Sequence, residues 1–468
     1  MAPLVALLVW LVLLLALLHY DPARSKRSHV ALWVPTVWMF IIGTRLPSQW
    51  LGGQIGLTAT ALEEGNPIDR AISSGLILLT ILILTARSFK WEVFLSRNVA
   101  LTAFLCCALL SVFWSDYPLV TFKHWFRDLG NYLVILIPLS DPRPFEAVGT
   151  LLRRLFYLLI PLSVLLVKYF PAIGRQYNEW TGVAMYTGPT TGKNMLGVLC
   201  LTSGLFFFWD TVTRWSNRRE RRTKRIILIN VAFISMTLWL LNIADSATSR
   251  VCLVIGWLVI AMAHTKAAKR NPTILTWLVP VGICLYMTLA FGFGLDINAQ
   301  LARALGRDPT LTDRTKMWSF LLSMKISPLV GTGYETFWLG PRLQWFWQNA
   351  GLGHINEAHN GFLEVYLNLG IIGLSLLGWL LIASYRTICR RFKCFSRFGS
   401  LGLALWTTLL LYSVTEVGFR SGLIWLMFLL GAIMIPERTS AVTSGHATPR
   451  NPHVVRHKAW EETTTVEG

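Results

Sequence analysis

Long apolar stretches recur along almost the whole chain, and short polar segments separate them. A helix that spans a membrane needs roughly 20 mainly apolar residues, with a range of about 17–25. The pattern predicts about thirteen spans, near residues 3–20, 29–44, 69–86, 98–114, 125–140, 151–169, 194–212, 226–244, 250–264, 273–292, 360–385, 399–415 and 421–435. We therefore expect an all-α, polytopic integral membrane protein with about 12–13 transmembrane helices.

Two polar segments interrupt this pattern and divide the chain into four parts. Residues 1–292 hold the first ten predicted helices, and residues 359–435 hold the last three. Residues 293–358 between them are rich in glycine, tryptophan and polar residues, and a loop of this length is more often functional than idle. We expect it to be one large extracytoplasmic loop that carries part of the active site. Residues 436–468 are predicted to be a disordered cytoplasmic tail.

The distribution of charge gives the orientation in the membrane. The chain has 43 Lys and Arg against 24 Asp and Glu, a formal net charge of +19, yet only 14% of its residues are charged. Twenty-four of the basic residues lie in alternate short loops and nine in the intervening ones. Cytoplasmic loops carry such an excess, so the N-terminus is expected outside and the C-terminus inside. The positive charge therefore indicates membrane topology and excludes nucleic acid as the expected partner.

Several polar residues lie at the outer ends of spans or in the large outer loop. Polar residues in such places are costly and often functional. Three cations and an imidazole share this side of the membrane, and such a set is suited to binding anions. The candidates are Lys193, Asn194, Arg250, Arg314, His359 and Asn360. No zinc-ligand spacing appears among the cysteines and histidines, so we expect no metal.

Each candidate also has an ordinary structural interpretation. His359 could be a loop histidine with Asn360 as the N-cap of the next helix. Arg250 and Lys193 could be anchors whose side chains reach the membrane interface. Arg314 could be a solvated charge on a loop helix.

The segments together resemble the O-antigen ligase / O-antigen polymerase family of bacterial membrane glycosyltransferases. The resemblance rests on the pair His359-Asn360 followed by Gly370 and Gly373 in an apolar helix. Upstream, "LTDRTKMW" and "SPLVGTGYETFW" resemble the loop pattern of that family, and "SATSR" and "TGKNMLG" resemble two further positions. The similarity is strongest over about 180–380. Gly192 departs from the family, whose members often have a polar residue or histidine directly before the Lys-Asn pair.

The resemblance implies a reaction on lipid-linked glycans at the periplasmic face of the bacterial inner membrane. A polyprenyl-diphosphate-linked glycan would be the donor, and the acceptor would be another glycan in a polymerase or a lipid A-core in a ligase. The implied enzyme needs no nucleotide sugar, cofactor or metal. Other polysaccharide assembly proteins are expected as further partners.

The resemblance also assigns roles to the candidate residues. His359 would be the general base that takes the proton of the acceptor hydroxyl. Arg250 and Arg314, with Lys193, would stabilise the charge that develops on the diphosphate leaving group. Asn194 and Asn360 would help to bind substrate.

Two other classes of protein stay open at this point. A transporter or flippase of lipid-linked oligosaccharides would place its ionisable residues nearer the middle of the bilayer. A non-catalytic scaffold of a polysaccharide assembly complex would tolerate the loss of His359.

Overall fold

The structure is a computed structural model, and it describes residues 2–19, 28–52, 65–177, 182–288, 314–394 and 396–434. The described part of the chain is mostly helical, with one small antiparallel hairpin. Its helices, in chain order, are α1 Pro3–His19, α2 Ser28–Ala31, α3 Trp33–Ile42, α4 Pro47–Trp50, α5 Pro67–Ala86, α6 Trp91–Arg97, α7 Val99–Leu110, α8 Pro118–Val134, α9 Leu136–Leu139, α10 Pro144–Tyr169, α11 Pro171–Gly174, α12 Lys193–Arg214, α13 Arg221–Ala244, α14 Ala247–Ala263, α15 Lys266–Arg270, α16 Pro272–Met287, α17 Arg314–Ser323, α18 Gly340–Ala350, α19 Gly361–Cys394, α20 Ser396–Thr415 and α21 Leu423–Ala432. Short 3₁₀ helices cover Ser111–Phe113 and Trp215–Asn217, and strands β1 Arg175–Tyr177 and β2 Ala184–Tyr186 form the hairpin.

Among the described residues, six helices are long and apolar enough to cross a membrane. A seventh candidate is the pair α6 and α7, which bends by 94° at the break between its two parts. Five shorter apolar helices accompany them. Each of these elements coincides with a predicted span, so the prediction of an all-helical, polytopic membrane protein is confirmed.

The predicted span 125–140 is the exception. The chain there forms α8, Pro118–Val134, which begins seven residues earlier and carries Lys123, His124, Arg127 and Asp128. Its ionisable residues make it amphipathic, and it is not among the helices with the composition of a span. The sequence prediction had centred the span on the apolar residues that follow these charges.

The described part of the large loop, from residue 314 onward, packs as a small body of its own. Helices α17 and α18 enclose a core that includes Met317, Leu321, Phe337, Trp338 and Phe346. Aromatic residues in an extramembrane loop can form an interfacial belt or a surface on which sugars stack. Two aromatic residues of this loop are core residues, since Trp338 is 6% exposed and Phe346 is 1% exposed. The predicted loop residues 293–313 and the predicted tail lie outside the described residues.

A kink in α19 holds this loop body against the membrane helices. Gly370 has a φ of +64° inside the helix, and a Cβ there would lie 2.3 Å from the backbone of Leu329. The freed amide groups of Ile371 and Ile372 donate to the carbonyls of Pro328 and Leu329, at 2.9 and 3.1 Å. Gly370 therefore allows the close approach of two backbones, which fixes the loop next to the start of α19.

A buried ionic cluster joins three membrane helices near the C-terminal end of α12. Asp210 on α12 accepts hydrogen bonds from Arg153 on α10, at 3.1 Å to both oxygens, from Arg214 at 2.9 Å and from Asn230 on α13 at 2.9 Å. The Arg153 and Asp210 side chains are each 5% exposed. Removing one partner from such a pair leaves a buried charge without compensation.

We predict that Asp210→Ala lowers the free energy of unfolding by about 3–5 kcal/mol. Thermal unfolding of the purified protein in detergent measures the effect. The matched control is Glu146→Ala, because the Arg143–Glu146 pair is 61% and 66% exposed and should contribute at most about 1 kcal/mol. Equal melting temperatures for the two variants would contradict the prediction.

Candidate active site

His359 lies in the turn that leads from the loop body into α19, and the turn is held on both sides. Its backbone has a φ of +46°, which is uncommon for any residue with a side chain. The preceding residue, Ala358, donates its N–H to Glu364 at 2.9 Å and accepts from the Trp318 indole at 2.8 Å. The following residue, Asn360, is the N-cap of α19 and accepts from the amides of the helix's first turn at 3.0 Å. These contacts fix the position of the imidazole.

The Glu416 carboxylate, at the end of α20, contacts side chains from three other parts of the chain. Glu416 is 4% exposed. Its Oε1 accepts from Arg314 Nη2 at 2.8 Å and from Asn194 Nδ2 at 3.0 Å, and its Oε2 lies 3.3 Å from His359 Nδ1. Arg314 also donates to the carbonyl of Thr415. Glu416 thereby joins α12, the loop body and the start of α19 in one network.

A second carboxylate completes the surroundings of the imidazole. Glu357 Oε1 lies 3.0 Å from the same His359 Nδ1. Burial lowers the pKa of His359, but the hydrogen bonds and charges of Glu357 and Glu416 outweigh burial and raise it to about 9. Burial raises the pKa of Glu357, but the hydrogen bond and charge of His359, with the charges of Arg420 and Arg314, outweigh burial and lower it. At neutral pH the imidazole is therefore mostly protonated and faces the ionised carboxylate of Glu357.

A second ion pair attaches the α20–α21 connection, which begins at Glu416, to the loop body. Arg420, four residues after Glu416, donates to Glu335 Oε2 at 2.6 Å. Burial raises the pKa of Glu335, against the opposing charge of Arg420. Glu335 has a φ of +57°, and its carbonyl lies 3.0 Å from His124 Nδ1 on α8. Ion pairs at Glu416 and at Arg420 therefore hold both ends of residues 416–420 against the loop body.

The structure brings together some of the predicted site residues and separates others. Asn194, Arg314 and His359 meet at Glu416. Arg250 instead pairs with Asp245 at 3.1 Å, donates to the carbonyl of Asn242 at 3.0 Å, and its side chain is 37% exposed. We find no contact between Arg250 and the network within the described part of the chain, so its role on the diphosphate stays a prediction.

The other two predicted residues lie next to the network without joining it. Lys193 is the first residue of α12, directly before Asn194, and its ammonium group has no polar partner among the described residues. Asn360 uses its side-chain oxygen for the helix cap, which leaves its amide nitrogen for any contact with substrate.

Sequence analysis did not select the two carboxylates. Glu416 follows directly on the predicted span 399–415, and an ionisable residue at the outer end of a span is a functional candidate by the same argument that selected Arg250. Glu357 lies two residues before His359. An anionic substrate favours cations as its binding residues, and this criterion does not indicate either acid.

The site also offers a possible set of metal ligands. Glu357, His359 and Glu416 could each supply one atom, and these atoms lie within 4.8 Å of one another. A cation there would have to displace the proton of His359 and lie beside the Arg314 guanidinium. The donor set is therefore better suited to the ion-paired network than to a metal, and the expected absence of a metal stays a prediction.

Comparison with known proteins gives two similarities. Residues 190–378 match a family described as O-Antigen ligase, and this segment holds every candidate residue from Lys193 to Asn360. The chain is also 25% identical over 360 residues to the exopolysaccharide production protein ExoQ of Rhizobium meliloti (strain 1021), an alignment that covers 73% of this chain and 78% of that protein. The chain is therefore a multi-pass membrane protein that is similar to the O-antigen ligase family over residues 190–378 and to ExoQ over most of its length.

Proposed function

We propose that this protein is a glycosyltransferase of the bacterial inner membrane that transfers or polymerises polyprenyl-diphosphate-linked oligosaccharide at the periplasmic face. The observation that carries the proposal is the network in which Glu416 holds His359, Arg314 and Asn194 together. The acceptor would be another glycan or a lipid A-core. The similarity to an exopolysaccharide production protein favours exopolysaccharide as the product class.

The reaction forms a bond between an acceptor oxygen and the donor sugar C1, and it breaks the bond between C1 and the diphosphate oxygen. The acceptor proton must leave during the attack, and the diphosphate keeps the electron pair of the broken bond. In this proposal His359 takes the proton. Its Nδ1 faces the two carboxylates, and its Nε2 has no hydrogen-bond partner among the described residues. A histidine oriented by a carboxylate at one nitrogen presents the other to the reacting group.

The two carboxylates together have one effect that favours proton transfer to His359 and one that opposes it. They stabilise the imidazolium that forms when His359 accepts the proton. They also keep most of the imidazole protonated at neutral pH, so the resting enzyme must first release that proton. The rate of transfer should therefore depend steeply on pH.

Arg314 has two roles in this scheme. It neutralises Glu416 through Nη2, and it lies at the start of α17, where the loop body begins. We propose that its remaining donors, with Arg250 and Lys193, face the diphosphate. Asn194 and the free amide of Asn360 would bind sugar hydroxyl groups.

We predict that His359→Gln lowers glycan transfer by at least about a hundredfold, the usual contribution of a general base. The variant is expressed in a strain that lacks the chromosomal copy, and its polysaccharide and protein level are measured. Single repeat units left on the lipid would indicate a polymerase, and long polymer left on the lipid would indicate a ligase. The matched control is His354→Gln, because His354 lies in the same loop and packs edge-on against Trp347. Normal polymer from a stably expressed His359→Gln would favour the scaffold.

The pH dependence of transfer tests the role of the imidazole directly. The pKa of His359 is about 9, so we predict that the rate rises about tenfold per pH unit below that value and levels off above it. Glu357→Gln removes one of the groups that raise this pKa, so the rising limb should move to lower pH. A rate that falls as pH rises through this range would show that the imidazolium, and not the imidazole, is the active form.

We predict that Arg314→Lys lowers transfer by about tenfold or more, because lysine cannot bond to Glu416, the Thr415 carbonyl and a phosphate in the same planar geometry. Glu416→Gln should also lower transfer, and the two effects should not add, since both changes break the same contact. Arg342→Lys, in the same loop and paired with Asp116, is the control. Independent, additive effects would mean that the Arg314–Glu416 contact is not the unit that supports the reaction.

A further inference from the structure

A cavity of about 180 Å³ lies between the break of α6 and α7, the second half of α19 and the end of α21. On α19 its lining includes Trp379, Ala383 and Thr387, which are spaced one helical turn apart and so share one face of the helix. At a rise of about 1.5 Å per residue, Trp379 lies about 27 Å along α19 from Gly361. The cavity is therefore far from the network at Glu416, and the proposed reaction does not use it.

Asn98 holds one wall of this cavity in place. It lies at the break between α6 and α7, which bend by 94°. Its side-chain amide donates to the carbonyls of Phe94 at 2.8 Å and Met434 at 2.7 Å, and its side-chain oxygen accepts from the amide of Met434 at 2.9 Å. Asn98 is 9% exposed. These buried contacts hold the residues after α21 against the break, so the cavity is a fixed part of the fold.

The interior of the cavity is mostly apolar, and the cavity opens on an apolar surface. Leu101, Leu380 and Leu429 contribute to the lining. Val99 and Trp379 also line the cavity, and they are 50% and 46% exposed. Exposed apolar side chains that adjoin one another mark a surface that contacts a membrane or a partner, and in a membrane-spanning helix such a surface faces the bilayer. An apolar chain can therefore enter the cavity from the lipid.

Two exposed arginines lie at the edge of the cavity, and neither has an acidic partner in the part of the chain that the structure describes. Arg97 is the last residue of α6 and lines the cavity. Arg390 donates to the sulfur of Met434 at 3.8 Å, and Asn98, which follows Arg97, binds the backbone of Met434. The two guanidinium groups therefore lie on the same side of the cavity, whereas Trp379 lies about three helical turns before Arg390.

We propose that this cavity binds an anionic phospholipid of the surrounding membrane. The phosphate would lie at Arg97 and Arg390, and an acyl chain would fill the apolar part beside Trp379. Basic pockets between transmembrane helices bind anionic head groups, and a lipid without net charge would leave both arginines uncompensated. By the orientation predicted from the sequence, this end of α19 is cytoplasmic, so the lipid belongs to the cytoplasmic leaflet. The proposal does not depend on the proposed function.

The test is a titration of the purified full-length protein in detergent with dioleoyl phosphatidylglycerol, in which native mass spectrometry counts the bound lipid. One arginine near a membrane surface changes the affinity for an anionic lipid about fivefold. Arg97→Gln and Arg390→Gln should therefore each raise the Kd about fivefold, and the double variant should raise it about thirtyfold. The matched control is Arg270→Gln, because Arg270 is exposed, ends α15 and does not line the cavity. That control should leave the Kd within about twofold.

Two further probes separate the charge of the ligand from its chains. Dioleoyl phosphatidylcholine has the same chains without net charge, and it should bind about tenfold more weakly or worse. Glycerol 3-phosphate has the phosphate without the chains, and it should show no saturable binding. Equal Kd values for the two lipids, or an unchanged Kd in the double variant, would refute the proposal. Saturable, arginine-dependent binding of glycerol 3-phosphate would identify a site for a free phosphate ester and would also refute it.

Photo-crosslinking locates the bound lipid. Phosphatidylglycerol with a diazirine in one acyl chain is added in trace amount to phosphatidylcholine nanodiscs that hold the protein. We expect label on the segments of α19 and α21 that line the cavity, and less label in Ala383→Phe, whose side chain would fill the space. If Ala383→Phe does not fold, the double variant of the exposed Arg97 and Arg390 decides. Label that is absent from both segments, or equal in wild type and the double variant, would overturn the site.

Discussion

The bond between Arg314 and Glu416 is the interaction on which the rest of the site depends. It joins the first turn of the loop body to the end of α20, and the same carboxylate holds Asn194 of α12 and faces His359. Two cations and two carboxylates thus lie together with little net charge. A buried ionic network is costly unless every member has its partners. The network therefore exists only when the loop and the membrane helices have taken their final places.

The loop is fixed by backbone contacts, and its ionic contacts depend on that arrangement. Gly370 allows the loop backbone to lie directly against α19. Glu364, one turn into α19, accepts from the amide of Ala358 and from the Trp338 indole at 2.9 Å. This buried carboxylate links the aromatic core of the loop to the residue before His359. The uncommon backbone conformation of His359 is stable because its neighbours on both sides are held.

The sequence predicted the helices better than it predicted the contacts among their polar ends. Apolar length alone places α5, α10, α12 and α13, because lipid leaves few alternatives to a helix. It fails at α8, where charges occur within an otherwise apolar region. His359, Arg314 and Asn194 could be found from their predicted outer positions and their motifs. Glu416 could not be joined to them, because no spacing in a sequence shows that residues 57 and 102 positions away meet at one carboxylate.

The Asp210 cluster has a consequence for the synthesis of the protein. A lone aspartate or arginine within a membrane span costs about 2.5–3.5 kcal/mol on insertion. Because the chain is made from its N-terminus, Arg153 of α10 enters the membrane before Asp210 of α12, and Asn230 of α13 follows. Arg153 has therefore already been synthesised when Asp210 enters the membrane. The charge of Asp210 is therefore compensated only where α12 packs against α10.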